Sequence, residues 1–356
     1  MVKKSVKLEG LNALRFFAFF WIFCSHIFPK TTASHNLLIQ FLVRLNYFGF
    51  WGVDLFFVLS SFLLTYLGLA EKAATHNFSI KNFLIRRSLR IFPLYYLIIA
   101  TSFLILPVIG RLLSNDISLP TNYWLYLFFL SNYEHSNSIF ALKFLWSIAV
   151  EEQFYWSWAF LLLIFQKKFG WVAVILLAAY CLIFFVLYPA GIKIPDNTIL
   201  YLANFSLGSF FAILFFNFRK YAESVSLSMT IFFVFGLGYF FIPAGNHYLD
   251  QLFRSAFFAS LLIFCIAICE IRFIKNSIMY KMLDDLGTYT YGLYVYSGFA
   301  ITFVGYVFIR NSLLANPFII FLLDLTIVMV AAITSYKLYE IRFLKYSQRF
   351  KWKAAL

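Results

Sequence analysis

The feature that most restricts the fold of this chain is a series of about ten apolar stretches, each near the length that crosses a bilayer. A helix rises about 1.5 Å per residue, so roughly 20 apolar residues span the hydrocarbon core. The stretches cover residues 11–28, 48–69, 91–109, 145–165, 171–187, 199–216, 228–242, 252–269, 288–309 and 317–339. The sequence therefore predicts an all-α polytopic membrane protein with about ten transmembrane helices.

Composition supports the same class of protein. The chain has 356 residues, of which 63% are hydrophobic and only 12% are charged. A soluble domain is nearer half apolar and about a quarter charged. We therefore expect residues 1–356 to form a single integral membrane domain embedded in a lipid bilayer, with no separate soluble domain.

The distribution of basic residues predicts the topology. If the N-terminus is cytoplasmic and all ten stretches cross, most of the 29 Lys and Arg residues fall in cytoplasmic loops, as the positive-inside rule requires. This bias holds only if the short apolar run at residues 123–130 does not cross, so we predict that it is re-entrant or interfacial. Both termini are then cytoplasmic. Residues 36–47 have helical apolar spacing and predict a helix lying on the outer surface.

The net charge of +14 would suggest a nucleic-acid partner in a soluble protein. Here the basic residues are explained by topology, and no long loop interleaves them with aromatic residues as single-strand binding needs. Nucleic acid is therefore not expected as a partner. The four cysteines lie in apolar runs without the spacing of a disulfide framework or a metal site, so no metal is expected.

Two ionisable residues, Arg15 and His26, interrupt the first apolar stretch. They are eleven residues apart, which at about 100° and 1.5 Å per residue returns to nearly the same helix face about 16 Å further on. Ionisable groups inside a membrane usually mark a pathway or a reaction. We predict that Arg15 lies toward the cytoplasm and His26 toward the outside, as two ends of one site. Neutral imidazole suits a general base, although a histidine solvated at the interface is the simpler alternative.

Asp54 stands a few residues inside the outer end of the second stretch, where an unpaired carboxylate is costly. The first two helices form a hairpin, so Asp54 can meet His26 near the outer surface. A bond from Asp54 to one ring nitrogen would fix the tautomer and raise the basicity of the other. The alternative is an aspartate that caps the start of its helix.

Two adjacent acids, Glu151 and Glu152, mark the outer end of a later stretch. Glu151 shares one helical face with Ser147 and Tyr155, at spacings of four residues, while Glu152 lies on a neighbouring face. We predict that one of these acids binds a polar acceptor or handles protons. The alternative is that both stay at the interface and cap the helix.

Three arginines, Arg86, Arg87 and Arg90, stand where the third helix enters the membrane from the cytoplasm. Their spacing allows one patch, and the planar guanidinium matches phosphate geometry. The sequence predicts that this patch joins Arg15 to bind a polyphosphate ligand. A basic anchor beside the membrane surface is the alternative.

These motifs together resemble the acyltransferase-3 family of integral membrane acyltransferases, which includes bacterial O-acetyltransferases of surface polysaccharides. The stretches that carry the resemblance are the Arg–ten residues–His pattern, GFWGVDLFFVLSSFL, RRSLRIFPLYYL, WSIAVEEQFY and LGTYTYGLYVYS. They occur in family order over nearly the whole chain. Two positions depart from the pattern: Ser61 stands where a glycine is usual, and Ser297 stands near where many members have a histidine.

The resemblance implies a function. The donor would be an acyl-CoA, usually acetyl-CoA, bound from the cytoplasm, and the acceptor a hydroxyl of a lipid-linked or surface glycan at a bacterial cell membrane. His26 would be catalytic, and Arg15, Arg86, Arg87 and Arg90 would contact the donor. The rival hypothesis is a transporter that exports a polar or anionic solute, although no inverted repeat is visible in the sequence.

Overall fold

A computed structural model describes residues 8, 10–27, 40, 49–112, 119–134, 139–165, 169–183, 186, 198–218, 248–269, 277–305, 307 and 316–352. Over these ranges the regular secondary structure is helical and contains no strand, so the all-α prediction is confirmed. The predicted stretch at 228–242, and nearly all of the surface helix predicted at 36–47, lie outside the described residues.

The helices are numbered here in chain order. They are α1 (Leu11–Ile27), α2 (Phe50–Thr75), α3 (Ile80–Ala100), α4 (Tyr123–Leu127), α5 (Leu145–Ile164), α6 (Phe169–Leu182), α7 (Leu202–Phe218), α8 (Tyr248–Cys269), α9 (Ile278–Thr288), α10 (Thr290–Val304), α11 (Pro317–Ser335) and α12 (Ile341–Ser347). A one-turn segment, Phe140–Lys143, precedes α5, and a 3-10 turn, Thr198–Tyr201, precedes α7.

Four continuous helical segments are long and apolar enough to cross a membrane: Phe50–Thr75, Ile80–Val108, Thr198–Phe218 and Pro317–Phe350. Shorter apolar helices lie at Leu11–Ile27, Trp171–Leu182 and Phe253–Ala267. These segments coincide with predicted stretches and support a membrane protein. The number of crossings, the cytoplasmic termini and the single-domain organisation stay predictions.

Local sequence signals explain where two of these helices begin. The Ser79 hydroxyl accepts a hydrogen bond from the Asn82 backbone N–H at 3.3 Å and caps α3. Asn316 caps α11 in the same way, with Pro317 at the first helical position. Because α3 begins at Ile80, all three arginines of the predicted patch lie within this helix. The segment predicted to be re-entrant or interfacial contains α4, whose 5 residues are too few to cross a bilayer.

The packing of α1 against α2 positions the polar residues of the first helix. In addition to α1, helix α2 packs against α7 and α8, and α1 also packs against α9 and α10. Gly52 allows the close approach of α1 and α2: a Cβ there would lie 2.7 Å from the Ala18 carbonyl oxygen and 2.6 Å from Ile22 Cγ1. Any larger residue at this position would force the two helices apart.

Candidate functional site

The polar residues selected from the sequence surround two neighbouring cavities between the helices. The first, here called the arginine cavity, has a volume of about 90 Å³. Helices α1, α2, α3, α5 and α10 contribute to its walls. Its polar lining includes Arg15, Arg87, Arg90, Ser60, Ser147 and Glu151.

The second, here called the histidine cavity, has a volume of about 800 Å³. His26 lines it together with Ser25, Asn132, Lys143, Trp146 and Tyr201. Small-molecule sites usually have volumes of about 300–1,000 Å³, so this cavity has the size of a ligand site. Its walls combine aromatic faces with hydrogen-bonding groups.

Val53 and Tyr294 line both cavities, which are therefore adjacent. On α1, Arg15 faces the arginine cavity and His26 faces the histidine cavity. One helix thus presents these two ionisable residues to two adjacent cavities. That Arg15 and His26 are the cytoplasmic and outer ends of one site stays a prediction.

The arginine cavity is rich in cations. The Arg15 Nη1 donates a hydrogen bond to Asn12 Oδ1 at 3.1 Å. The guanidinium carbon of Arg87 lies 5.1 Å from the ring centroid of Tyr155, and Arg90 is solvent-accessible. Guanidinium groups that converge on a small space favour an anion, and their planar forks favour phosphate oxygens.

Arg86 does not belong to this cavity, which corrects the prediction of a single patch of three arginines. Its Nη2 lies 3.0 Å from Glu71 Oε2, and its Nη1 donates to the Phe350 carbonyl oxygen at 2.6 Å. Glu71 also accepts from the Ser79 backbone N–H at 3.1 Å. Arg86 and Arg87 differ by about 100° around α3, so Arg86 ties α2, α3 and the C-terminal segment together instead.

The structure also separates the two adjacent acids. The Glu151 carboxylate lines the arginine cavity and accepts hydrogen bonds from the hydroxyls of Ser60 and Tyr155. The sequence had placed Glu151 with His26 at the outer end of the site, so its position beside the arginines is a correction. Glu152 is 2% exposed, and its Oε1 has no hydrogen-bond partner among the described residues. It lines neither cavity.

Asp54 lies within a different polar cluster from the one expected. Its side chain is 1% exposed. Oδ1 accepts a hydrogen bond from Asn204 Nδ2 at 2.9 Å, and Oδ2 accepts one from the Ser255 hydroxyl at 2.5 Å. Among the described residues it therefore pairs with α7 and α8 and not with His26. The expected Asp54–His26 contact is corrected, because both carboxylate oxygens accept from α7 and α8 and Asp54 is not among the residues that line the histidine cavity.

His26 is exposed to its cavity and packs against aromatic rings. Its ring centroid lies 4.7 Å from that of Phe144 and 5.6 Å from that of Phe140. Both phenylalanines belong to the segment around Lys143, which also lines the cavity. The imidazole thus has apolar support on one side and open space on the other, which suits a group that meets a substrate.

Several site residues were not singled out from the sequence. Ser60 could have been found as half of a serine pair inside an apolar run, and Phe140 and Phe144 share a helical spacing of four residues. The partners Asn204 and Ser255 carried no comparable signal. The structure also places Tyr291 and Tyr294 on the wall of the arginine cavity. Among the described residues no cluster of three or more His, Cys, Asp or Glu could hold a metal ion.

Comparisons with known proteins show which family the chain belongs to. Residues 8–337 match the family model of acyltransferase 3, described as an acyltransferase domain. The chain is 36% identical over 127 residues to "Peptidoglycan O-acetyltransferase OatA" of Listeria monocytogenes, covering 33% of this chain and 20% of that protein. It is 28% identical over 276 residues to "Putative peptidoglycan O-acetyltransferase YrhL" of Bacillus subtilis, covering 70% and 43%.

A third similar protein is a Staphylococcus aureus "Putative O-acetyltransferase", 26% identical over 369 aligned positions that cover 96% of this chain and 58% of that protein. The alignments thus span between 20% and 58% of the length of these relatives. No solved structure gives a significant match.

Proposed function

Because the chain belongs to the acyltransferase-3 family, we propose that it is a membrane O-acyltransferase of the bacterial cell membrane. It transfers an acyl group, acetyl above all, from cytoplasmic acyl-CoA to a carbohydrate hydroxyl at the outer side. The single observation that carries this proposal is the adjacency of the arginine and histidine cavities, with Arg15 and His26 on one helix. The names of the relatives make the glycan of the cell wall the first acceptor to test.

The donor half of the reaction belongs to the arginine cavity. Arg15, Arg87 and Arg90 hold phosphate oxygens of acyl-CoA through charge-assisted hydrogen bonds. From Arg15 to His26 the helix rises about 16 Å, which is comparable with an extended pantetheine arm. A CoA bound at the arginines therefore presents its thioester to the region of His26.

The acceptor half belongs to the histidine cavity. Its aromatic walls, Trp146 and Tyr201, can cover the face of a sugar ring, and Asn132 and Lys143 can bond to its hydroxyls. Its volume of about 800 Å³ admits a sugar unit. A lipid-linked or surface glycan reaches this cavity from the outer side of the membrane.

The chemistry follows from the position of His26. Its neutral imidazole removes the proton of the acceptor hydroxyl, and the oxygen forms a bond to the acyl carbonyl carbon. The carbon–sulfur bond breaks, and the CoA thiolate takes the proton from the imidazolium, so charge and atoms balance. If His26 instead carries the acyl group transiently, the same bonds form in two steps, and acid quenching with labelled acyl-CoA would trap labelled protein.

Substitution of His26 tests the proposal directly. We expect His26→Ala to lower acyl transfer by about 100-fold or more, because general-base catalysis contributes about 10²–10⁴-fold. Thiol release from acetyl-CoA by the purified chain and the acetyl content of cell-wall glycan by mass spectrometry are the readouts. His76→Asn is the matched control, since His76 ends α2 with a φ of 58°, a conformation that asparagine tolerates.

Two results would contradict this function. Full glycan acylation in cells that express His26→Ala at normal levels would remove the catalytic role of His26. Transport of an anionic solute by the wild-type chain, without thiol release from any acyl-CoA, would favour the transporter instead.

A further inference from the structure

A hydrogen-bonded network beside the histidine cavity carries an inference that rests on the proposed function. Asn132, in the 3-10 turn Ser131–Tyr133, lines this cavity together with His26. Gln153 of α5 lines neither cavity, yet its Nε2 donates a hydrogen bond to Asn132 Oδ1 at 2.7 Å. We propose that Gln153 is a positioning residue of the acceptor site: it fixes the Asn132 amide, so that Asn132 donates an N–H to an oxygen of the acceptor sugar.

A backbone carbonyl group fixes the orientation of the Gln153 amide. Gln153 Nε2 also donates to the Phe129 carbonyl oxygen at 2.7 Å. A carbonyl oxygen can only accept, so the nitrogen end of the Gln153 amide must face Phe129. The same nitrogen faces Asn132, where only an oxygen can accept its second hydrogen. The oxygen of Asn132 therefore points toward Gln153, and the Nδ2 of Asn132 points the other way.

Thr198 completes the network and leaves one N–H of Asn132 for a ligand. The Thr198 hydroxyl donates to Gln153 Oε1, because an amide oxygen can only accept. Its single proton is then used, so Asn132 Nδ2 is the donor toward the Thr198 oxygen, at 3.4 Å. An amide nitrogen carries two hydrogens. The second one on Asn132 has no partner among the described residues, and because Asn132 lines the cavity, this N–H can serve the acceptor.

The backbone of the segment before Asn132 is anchored by contacts of its own. Phe129 has a φ of 55°, a left-handed conformation that is unfavourable for a residue with a Cβ and persists where other contacts hold it. Its ring stacks on that of Tyr95 of α3, with centroids 4.2 Å apart. The Tyr95 hydroxyl donates to the Tyr126 carbonyl oxygen at 2.8 Å. Since these contacts do not involve Gln153, loss of its amide should release the Asn132 side chain and leave the segment folded.

The test separates acceptor binding from donor binding. Thiol release by the purified full-length chain is measured while a soluble N-acetylglucosamine oligosaccharide and acetyl-CoA are varied in turn. We expect Gln153→Met, which keeps the length of the side chain without its amide, to raise the KM for the oligosaccharide about fivefold, on the scale of one neutral hydrogen bond. The KM for acetyl-CoA should stay at its wild-type value.

A double variant shows whether Gln153 acts through Asn132. Asn132→Ala should raise the KM for the oligosaccharide at least as much as Gln153→Met does. If the two residues act as one unit, the double variant should be no worse than Asn132→Ala alone, because coupled residues are not additive. A residue that only supports the fold would not show this coupling in the KM for the acceptor.

Thr198 keeps the test decisive if Gln153→Met folds poorly. Thr198→Val removes the hydroxyl at nearly constant shape and should raise the KM for the oligosaccharide about twofold or more, whereas Thr198→Ser keeps the hydroxyl and should retain the wild-type KM. Ser157→Ala is the matched control, because Ser157 lies on α5, is exposed and lines neither cavity. Its kinetic constants should equal those of wild type.

The outcomes distinguish this inference from the proposed function. An unchanged KM for the oligosaccharide in Gln153→Met and Thr198→Val, or additive effects in the double variant, overturns the positioning role but not the acyltransferase. An equal rise in the KM for acetyl-CoA also overturns it, since the network would then not be specific to the acceptor. Absence of oligosaccharide-dependent thiol release by wild type overturns both the proposed acceptor site and the role of Gln153.

Discussion

The hydroxyl groups of Ser147 and Tyr294 lie 2.6 Å apart on the wall of the arginine cavity, and both side chains are buried. Their environments differ. The Ser147 hydroxyl also donates to the Phe144 carbonyl oxygen at 3.3 Å and so has a second partner. For the Tyr294 hydroxyl, the partner in the described structure is Ser147. We therefore expect the loss of stability to differ according to which of the two hydroxyls is removed.

Removal of the serine should cost more than removal of the tyrosine hydroxyl. Ser147→Ala leaves a buried hydroxyl on Tyr294 without its partner, which costs about 1–3 kcal/mol. Tyr294→Phe leaves Ser147 bonded to the Phe144 carbonyl, so the loss should be smaller. In the double variant no hydroxyl is left alone, and Tyr294→Phe should rescue part of the loss caused by Ser147→Ala. Thermal unfolding in detergent measures all three variants, and strictly additive losses would contradict this account.

Arg86 and Arg90 should behave differently although one helix carries both. Arg90→Gln should raise the KM for acetyl-CoA about tenfold or more, because a hydrogen bond to a charged group contributes about 1.5–3 kcal/mol. Arg86→Gln breaks the contacts with Glu71 and the Phe350 carbonyl, so it should lower the unfolding temperature and leave KM unchanged. Donor-dependent thiol release and thermal unfolding of the same preparations separate the two effects. A similar rise in KM for both variants would show that Arg86 also contributes to donor binding.

These contrasts also mark how far the sequence predicts the site. Spacing along one helix was informative: Arg15 and His26, eleven positions apart on α1, line two adjacent cavities. Rotation around a helix was less predictable, since Arg86 and Arg87 are neighbours in sequence yet face different surroundings. The spacing of residues along one helix does not predict which other helix packs against a given face, because that depends on the packing of the whole chain.

The partners of buried acids illustrate the same limit. Asp54 pairs with Asn204 and Ser255, which follow it by 150 and 201 residues. Nothing in the local pattern around Asp54 selects α7 and α8 over the nearer α1. Glu151 was expected at the outer end with His26, but Ser60 and Tyr155 bind it beside the arginines. Helix existence is a local property, whereas these contacts follow from tertiary packing.

The adjacent acids Glu151 and Glu152 should differ in their tolerance of substitution. The buried carboxyl group of Glu152 has one oxygen without a hydrogen-bond partner among the described residues. Glu152→Gln replaces this group by a neutral amide of similar shape. Because an unpaired buried charge is costly, stability should stay equal or rise. Glu151→Gln keeps an oxygen that can accept from Ser60 and Tyr155, but it removes the negative charge among the arginines of the cavity, so both stability and turnover should fall. Thermal unfolding and thiol release measure the pair, and equal losses at both positions would contradict the assignment.

Asp54 gives the sharpest distinction between a structural and a catalytic role. Asparagine at this position can accept from Asn204 through its oxygen and donate to the Ser255 hydroxyl through its amide, so Asp54→Asn should fold and keep turnover within an order of magnitude. Asp54→Leu can do neither and should lose about 1–3 kcal/mol or more of stability.

If Asp54 instead oriented His26, Asp54→Asn would favour the wrong imidazole tautomer and lower turnover by up to about 10⁴-fold, as such a change does in a serine-protease triad. It would also alter the dependence of turnover on pH, which a purely structural residue leaves in place. Thiol release by Asp54→Asn across the pH range of wild-type activity therefore decides between a structural role of Asp54 and a role in orienting His26. We expect an unchanged pH profile, because both oxygens of Asp54 are engaged by α7 and α8.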